Sequence, residues 1–281
     1  MNAEDAGEPD GTTLEGRLDR PGVRLESVGN GIARVSWTRE LQEQGFEAAS
    51  AAVREEVAAA LDDLKQARVE ALVDPEDLLA TRIATWAGLQ REGVMRGALE
   101  QGGELRDRVV FARLRTDAPI HKSRGFRALL NSFLPRKRAI AQMLVRDTKG
   151  RVLLCNLTYK QDWDLPGGVV EVNEAPHVAV SREVEEELGL DIAAGTLVLT
   201  DWLPPWSGWD DAVCLVFDGG VHDASIAERI VPQAREIRSA RFCTLHEVHT
   251  LCADFTARRI DSALANLDAG GSSYTESGRP R

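Results

Sequence analysis

Residues 168–190 read G-V-V-E-V-N-E-A-P-H-V-A-V-S-R-E-V-E-E-E-L-G-L and hold the most informative pattern in the chain. Three of the glutamates, Glu183, Glu186 and Glu187, stand at positions i, i+3 and i+4, which share one face of an α-helix. Like charges at this spacing disfavour a helix by about 0.2–0.5 kcal/mol per pair. A divalent cation, which prefers oxygen ligands, would offset that repulsion. The spacing alone leaves open a second interpretation, a solvated glutamate-rich helix face.

Seven identities at fixed spacing make this pattern more specific than a run of glutamates. They are Gly168, Glu174, Arg182, Glu183, Glu186, Glu187 and Gly189. At an average usage of about 6% per residue type, chance would give this set with a frequency on the order of 10⁻⁶ over such a chain. The run resembles the Nudix box, G-x5-E-x7-R-E-U-x-E-E-x-G-U with aliphatic U, and Val184 and Leu190 fill both aliphatic positions. We therefore prefer the functional interpretation.

The resemblance implies a fold, a reaction and a cofactor. The fold is α/β (α+β), with a Nudix αβα sandwich around a mixed sheet over residues 137–268. The reaction is hydrolysis of a pyrophosphate bond, with Mg²⁺ as cofactor and Mn²⁺ as a substitute. The expected substrate is a small nucleoside diphosphate derivative, linked to a nucleotide, a sugar or an ADP-ribose-like group.

The resemblance also implies roles for individual residues. The expected catalytic metal ligands are Glu183, Glu186 and Glu187, assisted by the carbonyl of Gly168. Structural support is expected from an ion pair between Glu174 and Arg182, and from the glycines Gly167 and Gly189.

A further catalytic carboxylate commonly comes from a later loop. Our choice is Glu236, which stands six residues before Phe242 at the start of the last expected strand. The alternative is Glu228, and a mobile surface glutamate is the other interpretation of either residue.

Four tryptophans are candidates for stacking a nucleobase. They are Trp163, Trp202, Trp206 and Trp209, the last three within eight residues. Core or interface positions explain them equally well. Pro205 lies fifteen residues after Leu190, a spacing seen in ADP-ribose hydrolases of the family.

Composition limits the partners of this chain. A net charge of −11 over 281 residues argues against a nucleic-acid duplex or an anionic membrane as partner. The four cysteines have no metal-binding spacing, and we expect reduced thiols in a cytoplasmic protein. We find no signal peptide and no apolar run of membrane-spanning length, and we allow for a homodimer.

Changes in composition along the chain predict its domains. Residues 1–22 and 269–281 are polar and are expected to be disordered tails. Residues 119–136 form a basic linker with a short amphipathic helix near 126–134. This linker separates a domain at 23–118 from the domain at 137–268.

Local patterns predict the elements of the C-terminal half. Strands are expected at 139–146, 151–156, 196–203, 211–217 and 237–242, with a closing helix at 253–267. The helix of the box should have Asn173 as N-cap, Pro176 in its first turn and Gly189 at its end.

The segment at 23–118 carries a second resemblance. A strand at 31–38, a helix at 44–64, a strand at 68–73, a second helix ending near residue 89 and a strand at 107–113 resemble the second half of a GNAT-type N-acetyltransferase. The acetyl-CoA loop of that family, R/Q-x-x-G-x-G/A, reads Gln42-Glu43-Gln44-Gly45-Phe46-Glu47 here. Glu47 replaces a small residue where helix N–H groups would bind phosphate, and Asp77 replaces an asparagine of the family. We therefore expect a truncated GNAT-like domain, kept for packing, dimerisation or partner binding.

Three functions remain for comparison. The leading hypothesis is a Mg²⁺-dependent Nudix pyrophosphohydrolase. The alternatives are an acetyl-CoA-dependent N-acetyltransferase with an accessory Nudix domain, and a non-catalytic nucleotide sensor. The complete set of box glutamates favours the enzyme over the sensor.

Overall fold

The computed structural model of the protein describes residues 20–280. Residues 1–19 of the predicted tail at 1–22 therefore lie outside the described range. The chain divides between Pro135 and Arg136 into two compact units, called here the N-terminal unit and the C-terminal unit. Within residues 20–280, no helix is both long and apolar enough to cross a membrane.

The N-terminal unit is built on a mixed five-stranded sheet. Its elements are β1 (Val23–Gly29), β2 (Ile32–Trp37), α1 (Arg39–Glu43), α2 (Phe46–Asp62), β3 (Arg68–Val73), α3 (Leu78–Trp86), β4 (Gln90–Gln101), β5 (Glu104–Leu114) and α4 (Ser123–Phe133). The strand order is β1-β2-β3-β5-β4. Strands β2 and β3 are parallel, and α1 and α2 form the crossover that a parallel pair requires.

The pattern of buried residues along the strands shows where the core of this unit lies. In β3 every second residue is buried, so that Val69, Ala71 and Val73 face the helices. Strand β4 has no such pattern, since all twelve of its residues are exposed or half-buried. We did not predict β1 or β4 as strands, and for β4 the missing alternation is the reason.

Helix α4 belongs to the N-terminal unit. The Ser132 hydroxyl accepts a hydrogen bond from the backbone N–H of Arg91 in β4 at 3.1 Å, and Leu129 is buried. A Cβ atom at Gly125 would lie 2.3 Å from the carbonyl oxygen of Ala118, so glycine is needed for this close approach. The amphipathic helix was predicted, but the structure packs it into the N-terminal unit instead of a separate linker at 119–136.

The C-terminal unit contains an eight-stranded mixed sheet. Its elements are β6 (Arg138–Asp147), β7 (Val152–Leu157), β8 (Gly167–Val169), α5 (Pro176–Leu188), β9 (Leu197–Leu203), β10 (Ala212–His222), a 3₁₀ helix (Ala224–Arg229), β11 (Ile237–Cys243), α6 (Leu245–Leu251), α7 (Asp254–Ala269), β12 (Ser273–Glu276) and β13 (Arg279–Pro280). The strand order is β11-β7-β6-β10-β9-β12-β13, and β8 pairs with β6. The predicted strands and closing helix are present with boundaries shifted by a few residues.

Two cores lie on opposite faces of this sheet. Residues Met143 and Val145 of β6 pack with α5, whereas Leu144 of the same strand packs with α7. This alternation places one helical layer on each side of the strands. The predicted αβα sandwich with a mixed sheet is confirmed. All four cysteines are free thiols buried in these layers.

The C-terminal segment is ordered in the structure. Strand β12 adds to the sheet beside β9, with Tyr274 opposite Thr200 and Thr275 opposite Asp201. Thr275 is fully buried, and its hydroxyl donates to the Asp201 carboxylate at 2.7 Å. The prediction of a disordered tail at 269–281 is therefore wrong for residues 269–280. The polar composition of this segment gave no sign of order, because its hydrogen-bond partner Asp201 lies more than 70 positions away in the sequence.

Candidate functional site

Helix α5 presents the box glutamates. Pro176 is its first residue, and it ends at Gly189, whose φ of 66° is the left-handed conformation common after helices. The N-cap is Ala175 without a side-chain cap, so the prediction of Asn173 is wrong. Asn173 itself has a φ of 69°, which places it in the turn that precedes the helix.

The apolar stripe of α5 fixes which face the glutamates occupy. Val180, Val184 and Leu188 are completely buried in the core beneath the helix. The helical spacing then directs Glu183 and Glu187 toward strand β8, where they meet Gly168 and Gly167, whereas Glu186 is exposed. The local sequence therefore positions the cluster through burial of the adjacent apolar stripe.

Glu187 is the most deeply buried of the three glutamates. Its carboxylate accepts a hydrogen bond from the backbone N–H of Gly167 at 2.9 Å, and only 3% of the residue is exposed. Burial raises the pKa of Glu187 to about 8; the Gly167 hydrogen bond opposes this, and the charges of Glu183 and Glu236 add to it. Gly167 has a φ of 133°, and a Cβ there would lie 2.2 Å from the carbonyl oxygen of Ala141. Glycine is therefore required for the backbone to reach this carboxylate.

Glu183 lies directly against Gly168. A Cβ atom at position 168 would be 2.6–2.7 Å from the carboxylate atoms of Glu183. Burial raises the pKa of Glu183, and the charge and hydrogen bond of Arg182 partly oppose the effect.

Arg182 connects the loop before α5 to the glutamate face. Its Nε and Nη2 donate to the two oxygens of Glu174 at 2.9 and 3.0 Å, a bidentate ion pair. Its Nη1 donates to Glu183 at 3.0 Å and to Glu186 at 2.9 Å. The expected bracing pair is present, and the two additional contacts were not predicted.

The donor set suits a divalent cation. Carboxylate oxygens and a backbone carbonyl are ligands that Mg²⁺ uses, and 15% of the Glu183 side chain is exposed to solvent. Within the described residues, no three acidic, histidine or cysteine side chains are already arranged as a metal site. In the structure, Glu183 and Glu186 both accept hydrogen bonds from Arg182. The Glu186 side chain is 58% exposed, so exchanging its ion pair for a cation costs at most about 1 kcal/mol.

The loop that carries Glu236 is fastened to the end of α5. The N–H of Gln233 donates to the carbonyl of Glu187 at 2.9 Å, and the N–H of Thr158 donates to the carbonyl of Glu236 at 2.8 Å. The exposed Glu236 contributes to the raised pKa of both Glu183 and Glu187. Its charge therefore acts on the box glutamates. Glu228, the alternative, is an exposed residue of the 3₁₀ helix.

A cavity of about 230 Å³ opens next to the box glycines. Gly167 and Gly168 line it, together with Trp206, Trp209 and Phe255. Two of the four predicted tryptophans are therefore at the cavity.

The other two tryptophans lie elsewhere. Trp202 alternates along β9 with Asp201 and Leu203, so it faces the opposite side of the sheet. Trp163 packs on the core beneath α6 and α7, with the Arg241 guanidinium 5.2 Å from its ring centre. Neither lines the cavity, so their predicted role in substrate binding is not supported.

A buried polar network beneath the cavity was not predicted from the sequence. Arg259 of α7 is 1% exposed; its Nε donates to Asp201 at 2.9 Å and its Nη1 to Gln142 at 3.0 Å. The Gln142 amide donates to Asp164 at 2.8 Å, and Lys160 donates to the second Asp164 oxygen at 2.9 Å. Burial alone would lower the pKa of Arg259, but the neighbouring carboxylates raise it. The sequence signal for this network is weak because its partners are up to 117 positions apart.

The segment that resembles an acetyl-CoA loop begins α2 in the N-terminal unit. Gly45 is the N-cap with a φ of 109°, and Glu47 lies in the first turn. Asp77 caps α3 by accepting from the N–H of Ala80 at 2.8 Å. Its second oxygen accepts from the Gln42 amide at 3.5 Å. Asp77, one of the residues that depart from the family pattern, thus has a local structural role here.

Comparisons with known proteins cover parts of the chain. Residues 135–264 match the model of the NUDIX domain. A MutT-like protein of Streptomyces ambofaciens is 39% identical over 59 residues, which are 21% of this chain and 38% of that protein. An 8-oxo-dGTP diphosphatase of Proteus vulgaris is 35% identical over 69 residues, which are 23% of this chain and 62% of that protein. The chain thus spans less than two thirds of either relative.

Solved structures resemble each half of the chain. The match with a MutT protein from Methanosarcina mazei Go1 covers 50% of this chain and 99% of that protein, at 23% identity and a TM-score of 0.40. The match with an acetyltransferase of the GNAT family from Bacillus anthracis covers 34% of this chain and 58% of that protein, at 20% identity and a TM-score of 0.32. The family model and the complete box together show that the chain carries a NUDIX domain over residues 135–264.

Proposed function

We propose that the C-terminal unit is a divalent-metal-dependent pyrophosphohydrolase acting on a nucleoside diphosphate derivative. The observation that carries this proposal is the Glu187 carboxylate, which is 3% exposed, accepts a hydrogen bond from the backbone of Gly167 and lies beside Glu183. Burying carboxylates without a compensating charge is unfavourable. A cluster of this kind is explained if a cation binds to it. The relatives named as a MutT-like protein and an 8-oxo-dGTP diphosphatase support the reaction class.

The metal would be held by Glu183, Glu186, Glu187 and the carbonyl of Gly168. Mg²⁺, or Mn²⁺ in its place, would neutralise charge on the phosphate oxygens and act as a Lewis acid. Arg182 would keep the helix in register with the loop through its bidentate pair with Glu174.

Glu236 is our choice for the general base. It lies on an exposed loop fastened to α5, and its charge acts on the box glutamates. A carboxylate in this position can accept the proton of the water that attacks phosphorus. Gly167 and Gly168 line the cavity, so a substrate bound there would have its phosphates beside the same face.

A substrate panel tests the proposal. The full-length protein would be incubated with nucleoside triphosphates, dinucleotides, ADP-ribose and sugar nucleotides, with Mg²⁺ or Mn²⁺, and the released products would be identified. We expect metal-dependent release from at least one compound that contains a pyrophosphate, and none when EDTA is present. Release from phosphate monoesters alone, or no release from any compound with either metal, would overturn the proposal.

We propose no acetyl transfer by the N-terminal unit. Glu47 lies in the first turn of α2, where a carboxylate competes with a pyrophosphate for the free N–H groups of the helix. Calorimetry with acetyl-CoA at high micromolar concentration should therefore give no binding heat. A measurable affinity would show that this unit retains the cofactor site.

A further inference from the structure

The loop at residues 231–236 is bonded to the end of helix α5. The last carbonyls of a helix have no partner inside it and need donors from elsewhere. The carbonyl of Leu188, the last residue of α5, accepts from the N–H of Val231 at 2.9 Å. The carbonyl of Glu187 accepts from the N–H of Gln233 at the same distance. The position of this loop is therefore set by the helix that carries the box glutamates.

The side chain of Gln233 closes a turn within this loop. Its Oε1 accepts from the backbone N–H of Arg235 at 3.0 Å and from that of Glu236 at 3.1 Å. The carbonyl of Gln233 accepts from the N–H of Glu236 at 3.0 Å and from that of Ile237 at 2.8 Å. This is the arrangement of a helix N-cap, whose side chain binds the N–H groups two and three residues ahead. Gln233 thus contacts α5 through its backbone and Glu236 through its side chain.

Thr158, which follows β7, holds the same loop from the other side. Its N–H donates to the carbonyl of Glu236 at 2.8 Å, and its hydroxyl donates to the carbonyl of Arg235 at 2.7 Å. Its own carbonyl accepts from Nη2 of Arg238 at 2.8 Å. Ile237, directly after Glu236, is 1% exposed and begins β11. The backbone of Glu236 is therefore fixed on both sides, although the residue is exposed.

An exposed glutamate serves as a base only if it is held close to the reacting water. A shift of about 1 Å in a reacting group can lower a rate by roughly 100-fold. We propose that Gln233 is a positioning residue, which holds the backbone of Glu236 in a fixed place relative to Glu187 through the hydrogen bonds of its side chain and backbone. The inference rests on the proposed function in taking Glu236 as the base.

Steady-state kinetics of variants at position 233 test the proposal. Gln233→Met removes the acceptor but keeps the length of the side chain. On the substrate found in the panel, we expect kcat to fall about 10- to 100-fold with little change in KM, because the residues that line the cavity are unaltered. Gln233→Glu keeps an acceptor oxygen and should lose much less. The matched control is Gln101→Met, at the exposed end of β4, which should keep the wild-type kcat.

A double variant shows whether Gln233 acts through Glu236. Glu236→Gln alone should lower kcat by about 10²- to 10⁴-fold, the usual contribution of a general base. Gln233→Met combined with Glu236→Gln should be no slower than Glu236→Gln, because a misplaced base and a missing base have the same consequence. Losses that multiply would mean that Gln233 acts on another group, and they would overturn the proposal.

Hydrogen exchange gives a readout that is independent of turnover. In Gln233→Met the amide of Arg235 loses its acceptor and should exchange about tenfold faster, whereas the amides of β7 should keep their rates. An unchanged rate at Arg235 would contradict the proposal. If Gln233→Met fails to fold, Thr158→Val decides, because it removes the hydroxyl bond to the same turn and should show the same loss of kcat and the same dependence on Glu236.

The failure of this inference is distinguishable from the failure of the proposed function. A wild-type protein that cleaves no compound of the panel would overturn both. Turnover by the wild-type protein with an unchanged kcat in Gln233→Met would overturn only the positioning role. Full activity of Glu236→Gln would remove Glu236 as the base and the positioning role with it, and the hydrolase would stand.

Discussion

Gly168 and Glu183 are so close that no side chain fits between them: a Cβ atom at position 168 would lie 2.6 Å from Cδ of Glu183. The atoms that this Cβ would meet belong to the end of a flexible side chain and not to the backbone. A substitution at Gly168 would therefore displace the carboxylate and leave the fold intact. This contact links the box glycine to the position of an expected metal ligand.

Gly168→Ala should lower hydrolysis much more than stability. The new methyl group displaces the Glu183 carboxylate, so we expect at least a tenfold loss of kcat/KM, of the order seen when groups that orient metal ligands are changed. The urea midpoint should change little. Gly271→Ala is the matched control, because a Cβ there meets nothing within 4 Å. Full activity of Gly168→Ala would argue against Glu183 as a ligand.

Gly278→Ala should destabilise the C-terminal unit. Gly278 has a φ of 71°, and a Cβ there would lie 2.7 Å from the Cβ of Arg258 and from the backbone N of Arg259. The left-handed conformation alone costs a residue with a Cβ about 1–2 kcal/mol, and the clash with backbone adds to it. We expect the free energy of unfolding to fall by about 2 kcal/mol or more in urea titrations, with Gly271→Ala again as control. A variant as stable as the wild-type protein would mean that the C-terminal segment is not docked in solution.

Helix α6 begins with a capping box, in which Thr244 is the N-cap and the Glu247 carboxylate accepts from the N–H of Thr244. This arrangement predicts a pH-dependent contribution to stability. Three hydrogen bonds to its carboxylate lower the pKa of Glu247 to about 2. The N–H of Thr244 has the largest effect, and Arg241 and the Thr244 hydroxyl add to it. An unfolded glutamate has a pKa of about 4.3. The folded pKa is the lower one, so the stabilisation is fully present above about pH 4.3 and is lost as the pH falls toward 2.

Glu247→Gln tests this linkage. The wild-type protein should have the higher urea midpoint at pH 7, and the difference from the variant should shrink at pH 4 and again at pH 3. A difference that stays constant across this range would contradict the lowered pKa of Glu247.

The sequence predicted the parts of the molecule whose causes are local. The stripe of Val180, Val184 and Leu188 fixes the face of α5, and the box spacing then fixes where the glutamates point. The Glu174–Arg182 pair follows from the same short stretch. The N-cap was predicted two residues early, because Asn173 is also a common residue in turns with positive φ.

Features that depend on distant partners were not predictable. Arg259 reads in the sequence as a polar residue of an amphipathic helix, and its burial depends on Asp201 and Gln142, 58 and 117 positions away. Thr275 lies in a polar segment that reads as disordered, and its order depends on the same Asp201. Hydrophobic periodicity carries no information about such buried polar contacts.

The most direct test of the central claim is metal-dependent product release by the Glu186→Gln and Glu187→Gln variants. Each would be compared with the wild-type protein on the substrate found in the panel, with Mg²⁺ present and with the fold checked by circular dichroism. The account predicts that both variants stay folded and lose metal-dependent turnover, because each removes a charged ligand from the glutamate face. Turnover retained by both folded variants would contradict it.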